Sequence, residues 1–452
     1  GLAPLGDIAI TGPAAMPIHV KPLLDKLGIQ ADFLHVGAYK GAADPLTRDA
    51  PSRESQETLG AILDRRYQTM VDIIAAERKL DAAAVKALID TALFPAEQAR
   101  AAKLVDDVVP WEEFRDSTKA AWTKLELEPD NKDQLQTMMK LARFLGAMPA
   151  DRPLGDHVAI VYAVGDIKDG DGDGVIGARQ EITSHTLVAA IRALTADTAV
   201  KAVVLRIDSG GGSAQASELI WTAVSQLQAQ KPVIVSMSDV AASGGYYIAS
   251  GAQKIFAEED TLTGSIGVIG GHIAPAAALA KLGVNTFPMG RGKHATLMSS
   301  FKPWTEDEKA IMRAHMEAVY TTFVARVAAG RKKTPEQIQP IAQGRVWTGA
   351  KAKELGLVDE IGGLDAAIAE ARKLAKLDDT TALEVYPPPP TLRDVLAGWG
   401  QVHAPFGLHA SVLAELALLD PDVAATAERL VKLVDSFRTT PLQTVAILPV
   451  LR

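Results

Sequence analysis

The sequence predicts an α/β fold built on a mostly parallel sheet, and three observations carry that expectation. Short apolar runs, VAIVYA, AVVLRID, PVIVSM and KIFA, alternate with stretches of helical period such as TLVAAIRAL and ASELIWTAVSQLQAQ. Strands that alternate with helices bury best as a parallel sheet covered by helices. Glycine-rich loops, SGGGS (Ser209–Ser213), ASGG (Ala242–Gly245) and TGSIG (Thr263–Gly267), follow three of the strands. Finally, much of the chain recurs at a fixed offset, which places two related units in one polypeptide.

The repeat is read from three pairs of segments. GAYK ending at Lys40 matches GRGK ending at Lys293, SRESQE from Ser52 matches TEDEKA from Thr305, and LFPAEQARAAKLVDDV from Leu93 matches VWTGAKAKELGLVDEI from Val346, each at an offset of 253. Upstream, LLDKLGI and ALAKLGV align at an offset of 255, so a small insertion separates the copies there. The second copy begins near His157 and contains the strand-rich front half, whereas Gly1 corresponds to about position 255. The expected organisation is therefore the later part of a first repeat plus a linker over 1–150, a complete second repeat over 151–375, and a final segment over 376–452. The front half of the first repeat is read as absent from this chain. The final segment opens on YPPPP, a stiff break, and continues into apolar stretches of helical character, LHASVLAELALLD and VAATAERLVKLV. Thr305, followed by three acids, predicts the start of a long helix that Gly330 ends. A matching helix is expected after Ser52, and two such arms suit oligomerisation.

Composition narrows the function classes. At 452 residues the chain exceeds a single ordinary core. A net charge of −8 with no basic run argues against a phosphate-binding groove, so nucleic acid is set aside. The absence of cysteine excludes disulfide frameworks, thiol nucleophiles and Cys-ligated metals together. No signal peptide stands at the start as given, and no stretch reaches the roughly 18 apolar residues of a membrane span. DGDGDGVIGARQ from Asp169 resembles a calcium-binding loop at positions 1, 3, 5 and 6, but Gln180 stands where a bidentate Glu belongs and a strand precedes it. It is read as a solvated loop, and neither metal nor cofactor is expected.

The chemistry is expected at the three glycine loops, because loops at the C-terminal ends of parallel strands gather along one edge. Ser243, between an apolar strand and the helix-like GYYIAS, would sit at a helix N-terminus, where partial positive charge favours an alkoxide. The amides of Gly244 and Gly212 are then the candidate oxyanion donors, an arrangement worth about 3–4 kcal/mol per donor. A serine needs a base. On the residues alone it is either His272, in GGHIAPA, or a lysine whose pKa is depressed by burial.

Together VLRIDSGGGSAQASE, VSMSDVAASGGYYIASGA, TLTGSIGVIGG and GRVWTGAKAKELGLVDEIGGL resemble the signal peptide peptidase A family, the protease IV type of serine protease, up to about residue 375. LLDKLGI with VGAYKGAADPLTRD resembles the lysine-bearing region in the N-terminal repeat of its long, tandem form. The resemblance implies tandem Clp/crotonase-like ββα repeats. It also implies a serine endopeptidase acting on cleaved signal peptides and other unfolded or hydrophobic peptides through a Ser/Lys dyad. By motif the nucleophile falls on Ser243, the base on Lys40, and Ser265 is similar to the serine that hydrogen-bonds the lysine. Lys293, matched to Lys40 in the second copy, is the alternative base. One departure is Gly210, where the family usually has proline. The resemblance further implies a homo-oligomer, a tetramer for the tandem form. It places the catalytic part on the periplasmic side of the bacterial inner membrane, held by a segment absent from this chain. Two other functions remain open on the residues: acyl-CoA chemistry on the crotonase fold, which would need carboxylates beside the glycine loops, and an inactive oligomeric scaffold.

Overall fold

The computed structural model describes residues 1–3, 7–15, 17–109, 114, 153, 155–172, 180–281, 297, 299, 302–388 and 442–445. The described residues fall into two compact units, one within residues 1–16 and 59–141, the other within 17–58 and 142–450. Lys293 and the apolar stretches 408–434 lie outside the described residues.

In the larger unit the apolar runs become strands as expected: β4 (His157–Val164), β7 (Val200–Ser209), β9 (Val233–Ala242) and β10 (Lys254–Ala257). β4, β7 and β9 are parallel neighbours, and β10 and β11 (Leu262–Gly264) both pair in parallel with β9. β13 (Val346–Thr348) closes one edge antiparallel to β11, and β15 (Leu383–Tyr386) lies parallel to β4 at the other. β14 (Glu360–Ile361) extends the β10 branch. Near-continuous burial of β4, β7 and β9 explains why they read as unbroken apolar runs. Helices cover both sides. Ile220, Val224 and Leu227 of the helix Ala214–Gln228 pack with Leu205 and Val235, while Ala367, Ile368 and Ala371 of the helix Leu364–Ala375 pack with Val204 and Ile234.

A second sheet runs β2 (Gln30–Val36), β12 (Val268–Ala274), β16 (Leu442–Val445), β8 (Gly211–Ser213), β5 (Ile167–Lys168) and β6 (Ile182–Thr183). Its decisive feature is the seven-residue antiparallel ladder between β2, from the first repeat, and β12, from the second, with Val36 opposite Val268 and Gln30 opposite Ala274. Past Val36 the chain turns at Gly37, φ 107°, and the Lys40 amide donates to the Gly37 carbonyl. Residues 17–58 thus fold into the same unit as the second repeat.

The smaller unit holds β1 (Asp7–Ala9) paired antiparallel with β3 (Leu93–Pro95), and a core of Val71, Val85 and Ile89. The repeat is visible in the elements themselves. Helices start at Arg53 and Glu306, strands at Leu93 and Val346, and helices at Ala96 and Gly349, all 253 residues apart. Thr305 caps its helix with a full capping box, its hydroxyl accepting from the Glu308 amide while the Glu308 carboxylate accepts from the Thr305 amide. Ser52 does half of this in the first copy, accepting from the Ser55 amide.

Candidate active site

β9 and β11 end side by side, with Ala242 opposite Gly264, so the next residue of each strand, Ser243 and Ser265, leaves the sheet at the same edge. The Ser243 amide donates to the Gly264 carbonyl at 2.8 Å. Both serines take left-handed backbone, φ 55° and 52°, a conformation costing non-glycine residues about 1–3 kcal/mol. At Ser243 the strain reverses the chain from strand into the fully buried helix Gly244–Ala249. Small residues are needed here because the following helix packs against the glycine loop: a Cβ on Gly245 would stand 2.7 Å from the Ser209 carbonyl oxygen. Ser243 occupies the N-cap position, yet its hydroxyl caps nothing and turns instead to Lys40.

Lys40 is 2% exposed, and its side-chain nitrogen has three oxygen neighbours: Ser243 Oγ at 2.7 Å, Ser265 Oγ at 3.1 Å and the Ser265 carbonyl at 3.2 Å. Burial alone drives its pKa well below the ordinary lysine value, and no carboxylate counters it. A neutral amine keeps two N–H donors and one lone pair. Ser265 offers two acceptors, so the lone pair is left for the Ser243 hydroxyl.

The lysine backbone is held from a third segment. Gln343 accepts from the Tyr39 amide, the Gly344 amide donates to Ile266, and Arg345 accepts from the Ser265 amide, each at 2.7 Å. The strap therefore ties the lysine loop to the serine loop. Gly344 has φ +76° and touches Lys40 so closely that a Cβ would meet its N, Cα and Cβ at 2.7–2.8 Å. The Arg345 guanidinium lies over the Tyr39 and Trp347 rings, 4.9 and 4.4 Å from their centroids, and pairs with Glu57, which also accepts from Tyr39. GRVWTG stands out in the sequence as a motif, yet nothing in it points to this role, because its partners lie far off in the chain, Ser265 and Ile266 about eighty residues away and Tyr39, Lys40 and Glu57 about three hundred.

The other candidates fall as follows. His272 lies within β12, bonded to the Lys302 carbonyl and edge-on to Trp304, so it is engaged elsewhere. Gly244 is the first helical residue after Ser243, and Gly212 lies in β8, paired with Thr444 of β16. Of the acidic loop, Asp169 accepts from Ser184 and Asp171 faces His185, while residues 173–179 lie outside the described set. Among the described residues no cluster of metal-ligating side chains occurs, and no helix is long and apolar enough to cross a membrane.

The sequence profile of Peptidase family S49 matches residues 2–126 and 225–378. The chain is 34% identical to the Serine protease SPPA, chloroplastic, of Arabidopsis thaliana over 84% of its own length and 56% of that protein. It is 34% identical to Protease 4 of Salmonella typhi over 95% and 69%, and 32% identical to Protease 4 of Haemophilus influenzae over 84% and 62%. It thus spans between about half and two thirds of the length of these relatives. Among solved structures, a mutant ClpP1 from Listeria monocytogenes aligns with a TM-score of 0.31 at 16% identity, covering 46% of this chain and 94% of that one, a likeness too distant to argue from.

Proposed function

The chain belongs to Peptidase family S49, and on that premise we propose that it is a serine endopeptidase working through a Ser243/Lys40 dyad. The observation that carries the reading is the 2.7 Å contact between Lys40 Nζ and Ser243 Oγ inside a buried site that lowers the pKa of the amine. Neutral Lys40 takes the hydroxyl proton as Ser243 Oγ attacks the peptide carbonyl carbon. The amides of Gly212 and Gly244 are the proposed donors to the oxyanion. The resulting ammonium then gives its proton to the leaving amine, and the same nitrogen, neutral again, activates the water that releases the acyl group. Ser265 holds the amine in both protonation states, its hydroxyl and carbonyl accepting from the N–H groups.

Unfolded or hydrophobic peptides, including cleaved signal peptides, are the proposed substrates. A homotetramer at the bacterial inner membrane, facing the periplasm, is the proposed setting. The names of the relatives, Protease 4 and Serine protease SPPA, support the peptidase reading. Acyl-CoA chemistry gains no support, since no carboxylate touches Ser243 or Lys40 among the described residues.

The test is hydrolysis of a fluorogenic peptide ester by the wild type and by Ser243→Ala, Lys40→Ala and Lys293→Ala. The expected result is a loss of about 10⁴-fold or more in the first two, typical of removing a nucleophile or its base, with activity kept in the third. Activity lost with Lys293 and kept without Lys40 would move the base to the second repeat. No labelling of the wild type by a serine-directed fluorophosphonate would remove the peptidase reading.

A further inference from the structure

The nucleophile helix Gly244–Ala249 opens on two glycines, so its first two residues offer no side chain by which it can be held. Its position is fixed instead by the two tyrosines that follow. The Tyr246 hydroxyl donates to the Leu357 carbonyl at 2.8 Å. Tyr247 is tied at both ends: its amide donates to the Ser243 carbonyl at 2.8 Å, and its hydroxyl donates to the Glu218 carboxylate at 2.6 Å. Its ring stacks on Phe323, with centroids 4.4 Å apart. Burial first, and then the bond to Glu218, raise the pKa of the phenol, so Tyr247 is the donor in this contact.

Glu218 is gripped from its other side. Arg326 of the helix Glu306–Gly330 donates to both of its oxygens, Nη2 to Oε1 at 2.6 Å and Nε to Oε2 at 3.2 Å. The guanidinium also lies over the Trp221 ring, 4.3 Å from its centroid. A two-pronged pair backed by a ring leaves the carboxylate little freedom. That carboxylate belongs to the helix Ala214–Gln228, which starts directly after β8 and is capped by the Ser213 hydroxyl. The Tyr247–Glu218 bond thus joins the two helices that follow the proposed oxyanion donors Gly244 and Gly212, about one turn into each. At the offset of 253, the counterpart of Arg326 in the first copy is Ile73, apolar and 57% exposed. The charge is present in the copy that carries Ser243.

We propose that Glu218 is a positioning residue: through Tyr247 on one side and Arg326 on the other, it sets the spacing of the two amides that receive the oxyanion. This role rests on the dyad reading and adds a part to the same site. Oxyanion donors act at about 2.7–3.1 Å from the oxygen, and a misplacement of about 1 Å can cost about a hundredfold in rate. The bridge therefore acts on the transition state and leaves the binding of the peptide alone.

The experiment compares Tyr247→Phe, Glu218→Ala, Glu218→Gln and the double variant Tyr247→Phe with Glu218→Ala, all in the full chain. Hydrolysis of the fluorogenic peptide ester gives kcat and KM, and thermal unfolding reports the fold. Inhibition by a peptide aldehyde reports the oxyanion site, because the aldehyde oxygen takes the oxyanion position when Ser243 adds to its carbon. The expected result in Tyr247→Phe and Glu218→Ala is a fall in kcat of about ten- to a hundredfold with KM within about twofold. Aldehyde inhibition should weaken by the same factor as kcat. Glu218→Gln keeps an acceptor for the Tyr247 hydroxyl and should recover most of the rate. The double variant should lose no more than Glu218→Ala alone, because both substitutions break one bond. A lower unfolding temperature with kcat and aldehyde inhibition unchanged would overturn the proposal, as would losses that multiply in the double variant. A wild type that the fluorophosphonate does not label would remove the dyad reading and this role with it, whereas a labelled, active wild type and equally active Glu218 variants would remove this role alone.

Discussion

The two repeats share a skeleton and differ in what it carries. In the second copy, β11 pairs with β13 so that Thr263 is opposite Trp347, and the next amide, that of Ser265, donates to the Arg345 carbonyl. In the first copy, β1 pairs with β3 so that Ile8 is opposite Phe94, and the next amide, that of Ile10, donates to the Ala92 carbonyl. The ladder and the hydrogen bond following it are the same, but the position that holds Lys40 through two oxygens in one copy holds an isoleucine in the other. Ile10 packs against the apolar cluster of Val71, Val85 and Ile89. One strand end has become a polar site and its counterpart a piece of core. Duplication thus supplied two scaffolds, of which the first contributes a lysine and the second the two serines it contacts.

The sharpest way to break this comparison is to exchange the two residues. Ser265→Ile should remove the side-chain acceptor from Lys40 and crowd the amine, lowering kcat/KM by about 10²–10³-fold, the scale of losing one preorganised polar contact at the reacting groups. Ile10→Ser should leave kcat/KM within about twofold and instead lower stability by about 1–3 kcal/mol, because it places a hydroxyl in an apolar cluster. Comparable activity losses in both variants would mean that the copies are not divided in this way.

The parallel strands and the repeat were legible in the sequence because they rest on local signals, apolar runs and a constant offset. Ser243 stands out between alanines and glycines at a strand end, but a small residue packed at a tight strand-to-helix turn fits that pattern as well, and motif resemblance is what marks it as the candidate nucleophile. Lys40 was not legible from its own surroundings, since a loop lysine is by default solvated; motif resemblance singled it out, and the β2–β12 ladder then brought it to Ser265. Gln343–Arg345 and β16 escaped for a related reason. Backbone hydrogen bonds hold both in place, and these leave no side-chain pattern to read.

A second, smaller effect concerns the charge of the lysine itself. Burial holds the folded-state pKa of Lys40 below its unfolded value near 10.5. Between those two pKa values the unfolded chain binds the additional proton, so stability rises with pH across that window and falls as pH drops through it toward the folded pKa. Each unit of depression is worth about 1.4 kcal/mol. Lys40→Met keeps much of the volume and removes the titration, so it should unfold at a higher temperature than wild type at neutral pH. The difference should shrink as pH approaches about 10, near the unfolded value. Thermal unfolding followed from neutral pH up to that point checks this, and a constant difference between the two chains would mean that Lys40 is not neutralised by folding. A rate that rises with pH along the same titration would tie the neutral amine to catalysis.

The smallest expected effect lies where the copies diverge without chemistry. Each ends a short helix with a left-handed residue: Gly356, φ 74°, after the helix Gly349–Glu354, and Lys103, φ 61°, at the equivalent position after the helix Ala96–Ala101. Glycine adopts this conformation without a Cβ penalty, whereas lysine pays about 1 kcal/mol for it, part of which is regained because a lysine has less freedom to lose on folding. Lys103→Gly should therefore stabilise the chain by no more than about 1 kcal/mol, and should leave ester hydrolysis unchanged. Gly356→Ala should cost about 1 kcal/mol or more, since its added Cβ would also stand 2.9 Å from the Lys333 side chain. Chemical denaturation resolves differences of this size. Opposite signs for the two substitutions would show that the shared backbone, rather than either sequence, sets the conformation at the end of that helix, and equal signs would place the two helix ends in different local environments.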